Sequence, residues 1–268
     1  PVRLVALDLD GTLLTSRKTV TRRTHLVLRK ILDRGIHLVF ATARPPRSVR
    51  PYYEALKLQT PTVNYNGALI WHEPTRRVIR HTPLPVQKAR QIIAHARKLY
   101  PEIMVSVEIL DKWYTDHYAD LPEYATETSK HFMPDFVGPV EAFLTVPATK
   151  VMLLGDPTWI ADLERKLPAK LGDTIEHTRS DPHLLQVMHP GVNKGVALAR
   201  VAAQLGVARR EVMAIGDAPN DIAMLDYAGL AVAPENAWPS IKPRVHAVVA
   251  SNDDDGVAEA LERFVLKR

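Results

Sequence analysis

The apolar run over residues 3–9 ends in Asp8-Leu9-Asp10-Gly11-Thr12. Side chains two apart on a strand point the same way, so the two carboxylates can converge before Gly11 turns the chain. Such a pair attracts a divalent cation and raises both pKa values; a solvated Asp-Gly turn is the plainer alternative. A second carboxylate group follows another apolar run, in Gly216-Asp217-Ala218-Pro219-Asn220-Asp221. Asp217 stands at the strand end there, and Asn220 or Asp221 can cap the next helix while also supporting a metal. Two further polar positions end or open elements: Thr42 in Ala41-Thr42-Ala43-Arg44, and Lys194 in Gly191-Val192-Asn193-Lys194-Gly195. A lysine at a helix start opposes the helix dipole unless an anion neutralises it. Singly, Thr42 reads as a cap and Arg44 and Lys194 as solvated charges. Together they describe a metal, a carboxylate nucleophile and cationic clamps around a phosphoryl group.

These positions need a scaffold that brings strand ends together. After the first strand, a helical pattern opens at Thr21 and stops at Gly35; a strand over 36–42 and a helix from Pro45-Pro46 to Lys57 follow. Strand–helix alternation predicts a parallel sheet covered on both faces. Strands are expected over 63–71 and 77–81, around the turn Glu73-Pro74-Thr75. Past Pro83-Leu84-Pro85 the pattern becomes strand-rich: a helix over 86–99, strands over 103–110 and 113–115, then a mixed segment. A strand over 150–155, a helix near 159–166 and strands around 174–178 and 184–188 complete it. From Lys194 the alternation returns, with a helix to Leu205, strands over 212–215, 230–233 and 247–250, and helices from Asn220 and up to Phe264. The fold class is therefore α/β: a doubly wound, mostly parallel core over 1–83 and 189–268, split by an inserted α+β domain over 84–188. Pro83–Pro85 and His189-Pro190-Gly191 are the expected hinges. Trp113, Tyr114, Tyr118 and Tyr124 are expected to pack the core of the insert.

Composition removes other chemistries. The 268 residues include no cysteine, which excludes disulfides, thiolate nucleophiles and cysteine-based metal sites. The longest stretch without a charged residue, 58–72, contains Pro61, two Asn and a His, and falls short of a membrane span. No basic-then-apolar leader precedes the first strand, so a cytoplasmic protein with no membrane partner is expected. The net charge of +5 conceals a balance of +10 over residues 1–83, −4 over 84–188 and −1 over 189–268. The bases of the first segment are spread singly, without aromatic interleaving, and read as a solvated surface rather than a nucleic-acid site. Residues 251–262 approach a calcium-loop spacing, but Ser251 takes the first ligand position and a strand precedes it, so the match is judged false. Gly155-Asp156-Pro157 imitates Gly216-Asp217 without the following Asn-Asp, and reads as a strand-to-helix turn. His183 and His189 read as satisfied or solvated. Dinucleotide and P-loop glycine signatures are absent.

Asp8-Leu9-Asp10-Gly11-Thr12, Thr42, Lys194 and Gly216-Asp217-Ala218-Pro219-Asn220-Asp221 resemble, in order, the four motifs of the haloacid-dehalogenase phosphatase superfamily. Asn66-Gly67-Ala68, Asn193-Lys194-Gly195, Asn236-Ala237 and the stretch Ser251-Asn252 to Gly256-Val257-Ala258 narrow the resemblance to its Cof-type, sugar-phosphatase-like subfamily, with the insert in the place of a large α/β cap. The resemblance implies a Mg2+-dependent phosphomonoester hydrolase acting on small soluble phosphorylated metabolites such as sugar phosphates or phosphorylated cofactors. Asp8 would be the nucleophile and Asp10 the acid–base group; Thr42 and Lys194 would bind the phosphoryl oxygens. Asp8, Asp217 and the Asp10 carbonyl would hold magnesium, backed by Asn220 and Asp221, with Arg44, Asn66 and Asn193 contacting substrate. Ala43 for the usual Gly, Gln186 for a usual Glu and Ala233-Pro234-Glu235 for Ala-Met-Gly depart from the pattern and bear on substrate identity rather than catalysis. A phosphomutase with the same aspartyl chemistry, and a non-catalytic phosphosugar or RNA binder, are the alternatives.

Overall fold

Four apolar residues, Leu4–Leu7, form β1 in a computed structural model that describes residues 1–117, 126 and 128–267. In chain order there follow α1 (Arg22–Asp33), β2 (His37–Phe40), α2 (Pro46–Ala55), β3 (Thr62–Asn64), β4 (Leu69–His72) and β5 (Arg77–His81). Next come α3 (Val86–Leu99), β6 (Met104–Ile109), β7 (Lys112–Thr115), β8 (Phe136–Val137), α4 (Val140–Phe143), β9 (Lys150–Leu154), α5 (Pro157–Leu171), β10 (Glu176–Asp181) and β11 (Leu184–Met188). The chain closes with α6 (Lys194–Gln204), β12 (Val212–Ile215), α7 (Ile222–Tyr227), β13 (Leu230–Pro234), β14 (Ala247–Val249) and α8 (Gly256–Leu261). Two compact units result, Pro1–Ile79 with Asn193–Arg268, and Arg80–Val192. Among the described residues no helix is long and apolar enough to cross a membrane.

The first unit is built on a five-stranded parallel sheet, ordered β14-β13-β12-β1-β2. Successive strand residues face opposite sides, and both sides are dry. Val5, Leu7, Phe40 and Ile215 pack with Val27, Leu28 and Ile31 of α1 and with α8. Leu4, Ala6, Val39 and Ala214 pack instead with Leu198 and Val201 of α6 and Leu225 of α7. This double burial is why the strands read as unbroken apolar runs rather than as alternating ones. Thr21 caps α1 by accepting from Thr24 N at 3.1 Å, and both threonine hydroxyls donate to Asp255 at the start of α8. Two carboxylates of the apparent calcium loop are thereby spent on the chain itself, Asp255 on these threonines and Glu262 on Arg23 at 2.8 Å.

The expected single strand over 63–71 is two. Tyr65 and Asn66 adopt φ of 50° and 53°, and the turn they make folds β4 back antiparallel on β3, with Thr62 opposite Trp71. Asn-Gly at 66–67 favours such a turn, and it outweighs the apolar continuity of the run. The helix expected from Asn220 begins later, at Ile222, because Pro219–Asp221 forms a separate 3-10 turn. The strand expected near 174–178 lies at Glu176–Asp181, and the mixed segment supplies β8 and α4.

The inserted unit has a six-stranded sheet ordered β10-β11-β9-β6-β7-β8, antiparallel except between β7 and β8. Val105, Val107, Val151, Leu153, Leu185 and Val187 turn one face toward Ile92 and Ile93 of α3 and Leu163 and Leu167 of α5. Trp113 packs on the other face with Met104, Met152, Leu154 and Leu184, while Tyr114 stacks on Phe136 at 4.9 Å between ring centroids. Tyr118 and Tyr124 lie outside the described residues. Asp156 caps α5 by accepting from Thr158 N at 2.8 Å, a strand-to-helix turn. Gln186 accepts from the Lys150 ammonium at 2.8 Å, and both are buried.

His81 bonds the Thr149 hydroxyl at 2.8 Å, and burial lowers its pKa below 6.5. Below that value the unfolded chain binds a proton that the folded one refuses, so stability is complete at higher pH and declines as pH falls. His81→Gln keeps a hydrogen-bonding group without the titration. It is expected to flatten the dependence of melting temperature on pH between about 5 and 7; thermal melts across that window check it, and an unchanged slope would refute the assignment.

Candidate active site

Parallel strands present their carboxyl ends on one edge, and the chemistry-bearing residues collect there. Asp8 follows β1 directly, Asp217 follows β12 after Gly216, and Lys194 is the first residue of α6. The Lys194 ammonium donates to Asp8 Oδ1 at 2.6 Å and to Asp221 Oδ1 at 2.7 Å, with the lysine and Asp221 both fully buried. The anion that a lysine at a helix start requires is thus supplied twice. Asp221 Oδ2 accepts from the backbone N–H groups of Asp217 and Ala218, each at 3.0 Å, which fixes the loop carrying Asp217. Thr12 donates to Asp217 Oδ1 at 2.8 Å. Gly11 has φ of +79°, and a Cβ there would stand 2.5 Å from Asp217 Oδ2, so only glycine lets the two loops approach this closely.

Asp10 is held separately. Arg44 grips it with Nε and Nη2, each at 2.6 Å, and Lys18 adds a contact at 2.8 Å. Arg44, expected to contact substrate, spends its fork on Asp10, with Nη1 3.4 Å from Ser48. Thr42 is buried and accepts from Arg44 N at 3.1 Å, while its carbonyl accepts from Asn66 N at 3.0 Å. Asn66 in turn accepts from the Asn220 side chain at 3.0 Å. Asn193 caps α6 by accepting from Val196 N at 2.8 Å. The structure therefore gathers Asp8, Lys194, Asp217 and Asp221 into one cluster, sets Asp10 with Arg44, and links Thr42 through Asn66 to Asn220. His183 and His189 bond the backbone carbonyls of Gly155 and Pro190.

Sequence reasoning missed Lys18. It lies on a turn at φ of 58°, with its carbonyl accepting from the Tyr52 hydroxyl at 2.9 Å, and only its spacing from Asp10 could have pointed to it. The brace Asn236 was seen as a motif without a role. Its side chain donates to Gly11 O at 2.8 Å and accepts from Asn252 N at 2.9 Å, tying three loops together.

Burial, with Asp221 and Asp217 adding repulsion, pushes Asp8 well above the usual carboxylate range, against the pull of Lys194. Burial and Asp221 likewise push Asp217 up to about 6, although Thr12 and Lys194 oppose it. Burial would lower Lys194, but Asp221 and Asp8 outweigh it and raise the ammonium's pKa. Burial would raise Asp10 too, yet Arg44 and Lys18 hold it low. Three acids against one lysine leave an excess of negative charge that a divalent cation would relieve. One oxygen from each of Asp8, Asp217 and Asp221 lies within 4.8 Å of the others, and carboxylate oxygens suit a hard cation such as magnesium. Both Asp221 oxygens are already engaged, so Asp8 and Asp217 are the better placed to face the ion.

Comparison with known proteins places the fold in a family. The profile of the haloacid dehalogenase-like hydrolases matches residues 5–261. A 5-amino-6-(5-phospho-D-ribitylamino)uracil phosphatase of Bacillus subtilis (strain 168) is 31% identical over 272 residues, covering 97% of each chain. A pyridoxal phosphate phosphatase of Escherichia coli (strain K12) is 29% identical over 266 residues, covering 96% of each. The crystal structure of a haloacid dehalogenase-like hydrolase from Bacteroides thetaiotaomicron superposes with a TM-score of 0.88 at 28% identity, over 98% of this chain and 99% of that one. Carrying the buried acid cluster and its lysine on a doubly wound sheet, the chain belongs to the haloacid dehalogenase-like hydrolases, as an enzyme of their Cof-type phosphatase branch.

Proposed function

We propose that the chain hydrolyses small phosphorylated metabolites in a magnesium-dependent reaction through an aspartyl phosphate on Asp8. The observation that carries this reading is the buried Asp8 carboxylate 2.6 Å from Lys194, with Asp217 and Asp221 beside it. Lys194 holds one Asp8 oxygen in place, and the other attacks phosphorus as the ester oxygen departs. Asp10 gives that oxygen a proton; it then takes one from the water that attacks the phosphoaspartate and frees phosphate. The Arg44–Lys18 clamp fixes where the Asp10 carboxylate stands and keeps it ionised. Its protonation therefore belongs to the substrate-bound site, where a phosphoryl dianion competes for those cations. Thr42 and Lys194 bind phosphoryl oxygens. Magnesium, when bound by Asp8, Asp217 and the Asp10 carbonyl, would neutralise charge on the transferring group.

The inserted unit selects the leaving group, and the two named relatives, both acting on small phosphate esters, support a substrate of that size. Phosphate release from a panel of phosphorylated metabolites is expected with magnesium and lost with EDTA. Release that survives the chelator would overturn the metal's role. Turnover that needs a bisphosphate activator and frees no phosphate would favour a mutase.

A further inference from the structure

The opposite edge of the same sheet carries a second concentration of charge. The turn Arg209–Glu211 leads into β12, Gly229 immediately precedes β13 and His246 immediately precedes β14. Asp217 follows the other end of β12, so the four residues of that strand, about 13 Å at roughly 3.3 Å per residue, separate the two places. A cleft of about 560 Å³ opens at this amino-terminal edge, lined by Arg209, Arg210, Arg244 and His246, with Asp226 as the only carboxylate of its lining. That volume is in the range of small-molecule sites.

Two of the three arginines are anchored, and one of those two faces a carboxylate. Arg209 donates Nε to Tyr227 O at 2.6 Å and Nη2 to Asp226 O at 2.7 Å. These are backbone carbonyls at the end of α7, so they orient the guanidinium and leave its charge uncompensated. Arg244 pairs with the Asp226 carboxylate at 3.1 Å. Arg210 has no side-chain hydrogen bond or ion pair among the described residues. His246 Nδ1 accepts from Ala231 N at 3.0 Å, so its ring proton is on Nε2 and that nitrogen is a donor. The lining sets three guanidinium groups against one carboxylate, a charge of about +2 that complements a phosphate dianion, with Glu211 just outside it shared between Arg3 and Arg210. Residues 189–268 as a whole carry −1, so the positive charge is local to the cleft. A small anion fits such a focus better than a nucleic acid, which needs an extended basic track.

We propose that this cleft is a binding site for a small phosphate-bearing anion, separate from the acid cluster and liganded by Arg209, Arg210 and Arg244. The test is calorimetric titration with pyrophosphate in EDTA, where the metal-free acid cluster repels anions. One binding event is expected, with a Kd of about 1 mM or tighter. Arg210→Ala and Arg244→Ala should each weaken it by about tenfold and leave magnesium-dependent phosphate release within about twofold of the unaltered enzyme. Arg210 is exposed and makes no side-chain hydrogen bond or ion pair among the described residues, so its removal leaves the fold intact. The binding readout requires no turnover, so it stands or falls apart from the hydrolytic reading. Absence of binding, or heats unchanged in both variants, overturns the proposal. So does displacement by a DNA oligonucleotide with a steep salt dependence, which would make the cleft part of a nucleic-acid surface.

Discussion

Asp8→Asn abolishes phosphate release, by about four orders of magnitude or more, while the protein melts no lower than before; this is the expected result if Asp8 is the nucleophile. Asparagine matches aspartate in size, so the packing around a residue only 5% exposed is kept. Its amide cannot form the phosphoaspartate. The stability side has its own cause: burial, Asp221 and Asp217 all disfavour the Asp8 charge, and removing it leaves Lys194 still paired with Asp221 at 2.7 Å. Phosphate release, trapping of label on the protein in a single turnover, and thermal melts of both forms test this together. Activity within tenfold of the unaltered enzyme would refute a nucleophilic Asp8. A collapse of the melting temperature would instead show that the carboxylate is chiefly structural.

Lys194→Met should fail differently, losing activity and stability together. The ammonium is fully buried between Asp8 and Asp221 and is the cation bonded to both. Methionine fills much of the lysine stem's volume but leaves two buried carboxylates without that partner. Breaking a buried pair from one side costs about 3–5 kcal/mol. For a chain of this size that is a fall in melting temperature of roughly 6–20 °C. Adding Asp221→Asn should recover part of the loss, because one of the stranded charges disappears, and a double-mutant cycle reads the coupling. An unchanged melting temperature for Lys194→Met would mean that the pair contributes nothing to the fold.

Much of this architecture was legible because parallel strands buried on both faces must be apolar throughout, and their carboxyl ends must then carry the polar residues. The spans 184–188 and 212–215 were read to the residue. The strand expected over 63–71 was not, because apolar continuity hid a reversal that depends on two residues entering the left-handed region at Tyr65 and Asn66. Arg44 was expected to contact substrate, because nothing local indicates that residue 10, thirty-four positions away, takes its Nε and Nη2. Lys18 was passed over for the same reason.

The sequence by itself determined which residues end the apolar runs, and so which carboxylates, threonine and lysine were available for phosphoryl chemistry. Tertiary structure alone decided their pairing: Lys194 between Asp8 and Asp221, Asp10 under Arg44 and Lys18, and three arginines at the far edge of the same sheet. The physical reason is range. Strand and helix patterns depend on neighbours a few positions apart, whereas the charge, burial and hydrogen bonding of a side chain are set by whatever the fold places beside it, here up to 239 positions away, from Arg23 to Glu262.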